Sequence, residues 1–287
     1  MTITVTLHVF SGRPNPVWQL TEKEEAELNE KLVSARSFVA KRPSGVFGGL
    51  GYRGFSLTRS ADHPRGPLGM AVHEGILEPG ASAPNLVDDV GLESWLANLG
   101  ASHIPAVVRE HVAAQLSQGS SVSAFQFPTA VAPTCPACHA ADAPTYNPAM
   151  WNTPTVQPHN NCYNYANDRI TNTFAQPGRA TGHQATVMAC PNVDAGATSD
   201  GLHNVPNFNG TLQKGAGWYV ALVVWPNADY HWYRQDKVGC WSHKPGQTAA
   251  RNVDNAGHPI SDPKTCNRGP YTNFCSYMVT NRGVHIN

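Results

Sequence analysis

Residues 2–10 (TITVTLHVF) alternate polar and apolar positions, which puts Ile3, Val5, Leu7 and Val9 on one face and predicts a half-buried strand. The turn-forming SGRPNP of residues 11–16 ends it. Thr21 and Glu24 then have capping-box spacing ahead of a charged helix running to about Val33. Two more helices are predicted over 93–99 and 106–116. Later in the chain the pattern changes. Residues 217–225 (GWYVALVVW) are almost continuously apolar, as in a central strand covered on both faces. HWYRQ (231–235) and CWSH (240–243) read as two strands around the turn DKVG, and a closing strand is predicted near 274–279.

Two motif matches fail on this pattern. Gly49, Gly51 and Gly54 have the letters of a dinucleotide fingerprint, but the FSLTR that follows predicts a strand where that fingerprint needs a helix. His73-Glu74 would need a histidine at 77 to be a zinc-protease signature, and Leu77 stands there.

At 287 residues the chain has two-domain length, taking roughly 100–200 residues per domain. Twenty basic side chains balance twenty acidic ones, so the basic footprint of a nucleic-acid binder is missing. No apolar run approaches the roughly 18 residues of a membrane span. The alternating N-terminus is not a signal peptide, which implies cytoplasmic synthesis, with non-classical export as the route outward. The totals conceal an asymmetry. All nine Glu lie between Glu22 and Glu110, and all seven Cys between Cys135 and Cys275. The expected organisation is an α+β domain over 1–118, a Ser/Gly/Pro-rich linker over 119–134 and a second α+β domain over 135–287 with a central antiparallel sheet.

The chemistry therefore belongs to the second half. Cys135, Cys138 and His139 form the CxxCH of covalent haem attachment and are also a partial zinc set; a disulfide or plain thiols are the other readings. Asn161 can cap a helix that opens at Cys162, because residues 163–171 contain no Pro or Gly. A helix N-terminus favours a thiolate, and its N–H groups can hold an oxyanion. His231 and His243 are candidate bases. A three-residue loop over 236–238 would set them directly opposite; a four-residue loop would pair His231 with Lys244. Trp232 and Trp241 flank the histidines and are candidates for stacking on a substrate, or simply core residues.

A cysteine opening a helix, a core strand, a histidine on the next strand and a second polar residue one hairpin later resembles the NlpC/P60 and CHAP branches of the papain-like cysteine hydrolases. The resemblance rests on Cys162, His231, His243 and the segment DYHWYRQDKVGCWSHKPG, and covers roughly residues 140–250. It departs in having Asn161 before the cysteine and a long interval to His231. FSGRPNPVWQL and HWYRQDKVGCWSHKPG together resemble uncharacterised microbial proteins. The resemblance implies a papain-like domain that needs no cofactor and hydrolyses an amide, in a peptide or peptidoglycan. Cys162 would be the nucleophile, His231 the base and His243 its orienting partner, with Asn161 or Tyr230 as oxyanion donors. Asp229, Asp236, Asp254, Asp262, Asn252 and Asn255 are substitutes for His243. Two other classes stay open: a non-catalytic binding, toxin or structural module on the same fold, and a metal or haem protein using Cys135, Cys138 and His139.

Overall fold

The structure, a computed structural model, describes residues 2–35, the backbone of 37–38, and residues 49–61, 68–79, 85–117 and 134–287. The linker expected at 119–134 lies, but for Thr134, outside them. The chain forms two compact units, each with helices and an antiparallel sheet. One comprises Met1–Val9, Asn15–Phe47 and Tyr52–Phe125; the other comprises Phe10–Pro14, Gly48–Gly51 and Gln126–Asn287.

In the first unit the alternating N-terminal segment forms β1 (Thr4–Leu7), with Ile3, Val5, Leu7 and Val9 all buried. It lies between β2 (Val17–Gln19) and β4 (Phe55–Arg59), and β3 (Ser37–Phe38), β5 (Leu68–His73), β6 (Ile76–Glu78) and β7 (Asn85–Val87) complete a sheet of order β2-β1-β4-β5-β6-β7-β3. The capping box is present at α1 (Glu22–Ser34): Thr21 Oγ1 accepts the Glu24 amide, and the Glu24 carboxylate accepts the Thr21 amide. His73-Glu74 leads into a hairpin turn, with Glu74 at φ 49 and Gly75 at φ 73. The buried carboxylate of Glu93, in α2 (Leu92–Leu99), accepts both turn amides. A third helix, α3 (Ala106–Ser117), packs against α2.

The second unit is built on the apolar run. Every residue of β9 (Trp218–Trp225) is buried, as a strand covered on both faces must be. β9 pairs with β10 (Asp229–Gln235) on one side and β12 (Asn273–Thr280) on the other; β11 (Trp241–His243) and β8 (His203–Val205) form the edges, giving β11-β10-β9-β12-β8. Along β10 the side chains alternate: Tyr230, Trp232 and Arg234 face one way, Asp229, His231 and Tyr233 the other. Three short helices, α4 (Pro148–Trp151), α5 (Cys162–Ala166) and α6 (Cys190–Ser199), precede the sheet in the chain. α5 packs on the Trp232 face of β10, where the Tyr163 and Trp232 rings lie 5.3 Å apart.

Two disulfides tie distant parts of this unit. Cys190 at the start of α6 bonds Cys275, the extra residue of a bulge in β12 between the Phe274–Val223 and Ser276–Leu222 pairs. Cys135 bonds Cys240, immediately before β11.

Candidate functional site

Cys162 opens α5, as the Asn cap predicts. Asn161 Oδ1 accepts the amides of Tyr163 and Asn164 at 3.0 and 3.1 Å, and Asn164 Oδ1 accepts the Asn161 amide in return. The helix is much shorter than the sequence suggests. It ends at Ala166, and Asp168 takes φ 50. A single turn has little dipole to offer a thiolate, and burial decides instead: it is the largest of the effects that push the Cys162 thiol up to about 12. The nearby Asp229 carboxylate raises it too; the Ser11 hydroxyl, the Trp232 amide and the Lys244 charge lower it.

His231 and His243 meet, though not in either register that loop counting suggested. The loop between the strands has five residues, so Tyr233 stands opposite His243, and His231 is its diagonal neighbour on the same face. Even so, His231 Nε2 lies 2.8 Å from His243 Nδ1. The proton positions follow from the far end. The Val253 carbonyl, 3.0 Å from His243 Nε2, can only accept. Burial, aided by the Arg251 charge, holds His243 down at about 3 and therefore neutral. Its Nδ1 then accepts from His231 Nε2, which leaves His231 Nδ1 to face the Ser11 hydroxyl.

That nitrogen is met by Ser11, which sequence reasoning missed. Ser11 Oγ lies 2.5 Å from His231 Nδ1 and is also hydrogen-bonded to the Cys162 thiol. Thiol, serine hydroxyl, two imidazoles and a carbonyl thus form one continuous hydrogen-bonded chain. The serine is needed because Cys162 belongs to the helix on one face of β10 while His231 projects from the other. Ser11 bridges them around the strand edge.

The rest of Phe10–Pro14 is held as closely. Asp229 accepts the backbone amides of Ser11, Gly12 and Arg13 at 2.5, 3.1 and 2.9 Å, and the Tyr271 hydroxyl at 2.6 Å. The Gly12 carbonyl receives Asn161 Nδ2 at 2.7 Å and Gln176 Nε2 at 2.8 Å, with the Tyr230 hydroxyl at 3.1 Å. The Tyr230 proton is shared with Gln176 Oε1 at 3.0 Å. Asn161 and Tyr230, the proposed oxyanion donors, therefore do converge on a carbonyl, but it belongs to this chain. Lys244 is fully buried and donates to the carbonyls of Gln157, Asn160 and Gly246.

Other candidates lie elsewhere. Trp232 and Trp241 are both fully buried and point to opposite faces; Trp241 packs edge-on against Phe208, with ring centroids 5.3 Å apart. They fill the core and line no common cleft. Cys135 is in its disulfide and so cannot be a haem thioether or a zinc thiolate, while Cys138 is a half-buried free thiol. Asp236 pairs with Arg234, Asp254 accepts the amides of Ala256, His258 and Asn267, and Asp262 accepts the Tyr277 hydroxyl. Asn255 binds both backbone groups of Leu50. Asp229 is beside the relay but serves the Phe10–Pro14 backbone.

Among curated proteins, insoluble matrix shell protein 1 of Ruditapes philippinarum is 44% identical to this chain over 142 residues, which is 93% of that protein and 50% of this one. This chain belongs to the insoluble matrix shell protein 1 family. No family model matches the chain, and no solved structure does.

Proposed function

We propose that this chain is a non-catalytic structural module that assembles into a matrix in an oxidising, extracellular compartment. The observation that carries this reading is the closure of the cysteine–histidine centre: Cys162 and His231 are at 0% and His243 at 1% exposure, and the chain's own Ser11 and Gly12 occupy the positions a substrate needs. The thiol is held protonated at neutral pH. A relative described as an insoluble shell matrix protein supports the assembly role, and two disulfides support the compartment. The partners are then other matrix chains, including further copies of this one.

A second reading is favoured by one observation. Three donors gathered on one peptide carbonyl, beside a thiol and two linked imidazoles, are the parts of a papain-like cysteine hydrolase. In it Cys162 is the nucleophile, His231 the base that it reaches through Ser11, and His243 the group that orients the His231 ring.

The experiment compares the full chain with Cys162→Ala for the fraction that sediments after oxidative refolding and for hydrolysis of a peptide and ester panel. Equal insoluble fractions and no Cys162-dependent turnover are expected. A hydrolytic rate that disappears in Cys162→Ala overturns the structural reading in favour of the hydrolase.

A further inference from the structure

We propose that Asn209 is the acceptor for an N-linked glycan. The inference rests on the extracellular part of the reading above and goes beyond it by naming a covalent modification of the chain.

The chain has 22 asparagines, and Asn209-Gly210-Thr211 is the one place where an asparagine stands two residues before Ser or Thr. N-linked attachment needs that spacing, with any residue but proline between. Two asparagines stand two residues before a cysteine instead, and the structure disqualifies both. Asn160, ahead of Cys162, has no solvent exposure, and its Nδ2 donates to the Val156 carbonyl and to Asn172 Oδ1. Asn273, ahead of Cys275, leads to a sulfur that is held in the bond to Cys190.

Around Asn209 the surface is open. Asn209, Gly210 and Thr211 are all exposed, in the loop between β8 and β9. Among the described residues, neither the Asn209 side-chain amide nor the Thr211 hydroxyl has a hydrogen-bond partner. The backbone on either side is nevertheless fixed. Asn207 Oδ1 accepts the Asn209 backbone amide at 3.0 Å, and the Gly210 carbonyl accepts the Tyr219 hydroxyl at 2.6 Å. Phe208 packs against Trp241 and Tyr277, with ring centroids 5.3 and 5.1 Å apart, and the Leu212 amide donates to the His139 carbonyl at 2.9 Å. The anchors of the loop are its neighbours and its backbone, while the acceptor pair is left to water. A bulky, polar glycan on Asn209 therefore displaces no side-chain contact of the folded unit.

The donor class is an oligosaccharide carried on a polyprenyl diphosphate. Asn209 Nδ2 bonds to C1 of the first sugar as the C1–O bond to the diphosphate breaks. The diphosphate leaves with the bonding electrons, and the amide gives up one proton to a base of the transferring enzyme. Export through an oxidising compartment, which the Cys135–Cys240 and Cys190–Cys275 bonds support, brings the chain to such a donor.

The test secretes the full chain, behind a cleavable leader, from cultured eukaryotic cells, together with Thr211→Ala and Thr211→Ser. Most of the wild-type chain and of Thr211→Ser is expected to lose mass on treatment with an N-glycosidase, which leaves an aspartate at position 209 in peptide maps. Thr211→Ala is expected to carry no glycan; if that variant is not secreted, the wild-type map at position 209 decides alone. Non-reducing maps of the same samples read the two disulfides. Both disulfides with an unmodified Asn209 overturn the proposal and leave the extracellular reading standing. A glycan at Asn209 without the disulfides upholds the proposal and counts against that reading. Equal glycan mass on wild type and Thr211→Ala also overturns the proposal, since the modification then lies elsewhere.

Discussion

His243 owes its neutrality to burial, and that has a signed consequence for stability. The unfolded histidine takes its proton near 6.5 and the folded one near 3, so between those values the unfolded state binds more protons. The stabilisation is complete above about pH 6.5 and is lost progressively as pH falls toward 3. In urea titrations the midpoint should drop between pH 7.5 and 4.5, and His243→Gln should show a smaller drop over the same interval. Identical pH dependence in the two proteins would mean that His243 is not held neutral. At this scale the sequence showed Cys162, the Asn161 cap and the meeting of two histidines, each carried by local spacing. It did not show Ser11, Gly12 or Gln176 in the site, nor what Asp229 does there. Ser11 stands 220 residues from His231, and no local pattern encodes a pairing that distant.

Among the elements, β1, β9 and the β10–β11 hairpin were legible because alternation and a continuous apolar run survive in the sequence. The three-residue strands β2, β6, β7 and β8 carry too few positions for a period to register. The hairpin register was missed for a specific reason. Cys240 is drawn to Cys135, and Gly239 at φ 91 packs so tightly on the Pro136 carbonyl that a side chain there would collide. These constraints lengthen the loop to five residues and shift every pair. The same geometry predicts that Gly239→Ala is destabilising, by about 1–3 kcal/mol from positive φ and overpacking together. The urea midpoint measures it, and an unchanged midpoint would show that the loop can shift freely. The Cys190–Cys275 bond closes a separation of 85 residues, for which unfolded-chain entropy gives a loss of about 4.5 kcal/mol in the Cys190→Ser/Cys275→Ser double variant. Urea unfolding of the oxidised protein and the double variant tests that figure; a loss below about 1 kcal/mol would place little of the unit's stability in this bond.

For the whole molecule, the two compact units do not divide at one point between the Glu-containing, Cys-free first half and the Cys-containing second half. Phe10–Pro14 and Gly48–Gly51 come from the first half of the sequence and belong to the second unit. The turn residues SGRPNP, read as the end of a strand, thus supply the segment that occupies the cysteine–histidine centre. The structural reading proposed above turns on whether the buried Cys162 thiol reacts in the folded protein. The most direct measurement is the alkylation of the native, full-length protein by iodoacetamide at pH 7.5, followed at each free thiol by peptide mass spectrometry. Cys138 and Cys266, both half-buried, serve as internal references. Cys162 is predicted to react at least 100-fold more slowly than Cys138 and to become reactive only on unfolding. Alkylation of Cys162 ahead of Cys138 and Cys266 in the folded protein would contradict the closed structural centre and identify an accessible, activated nucleophile.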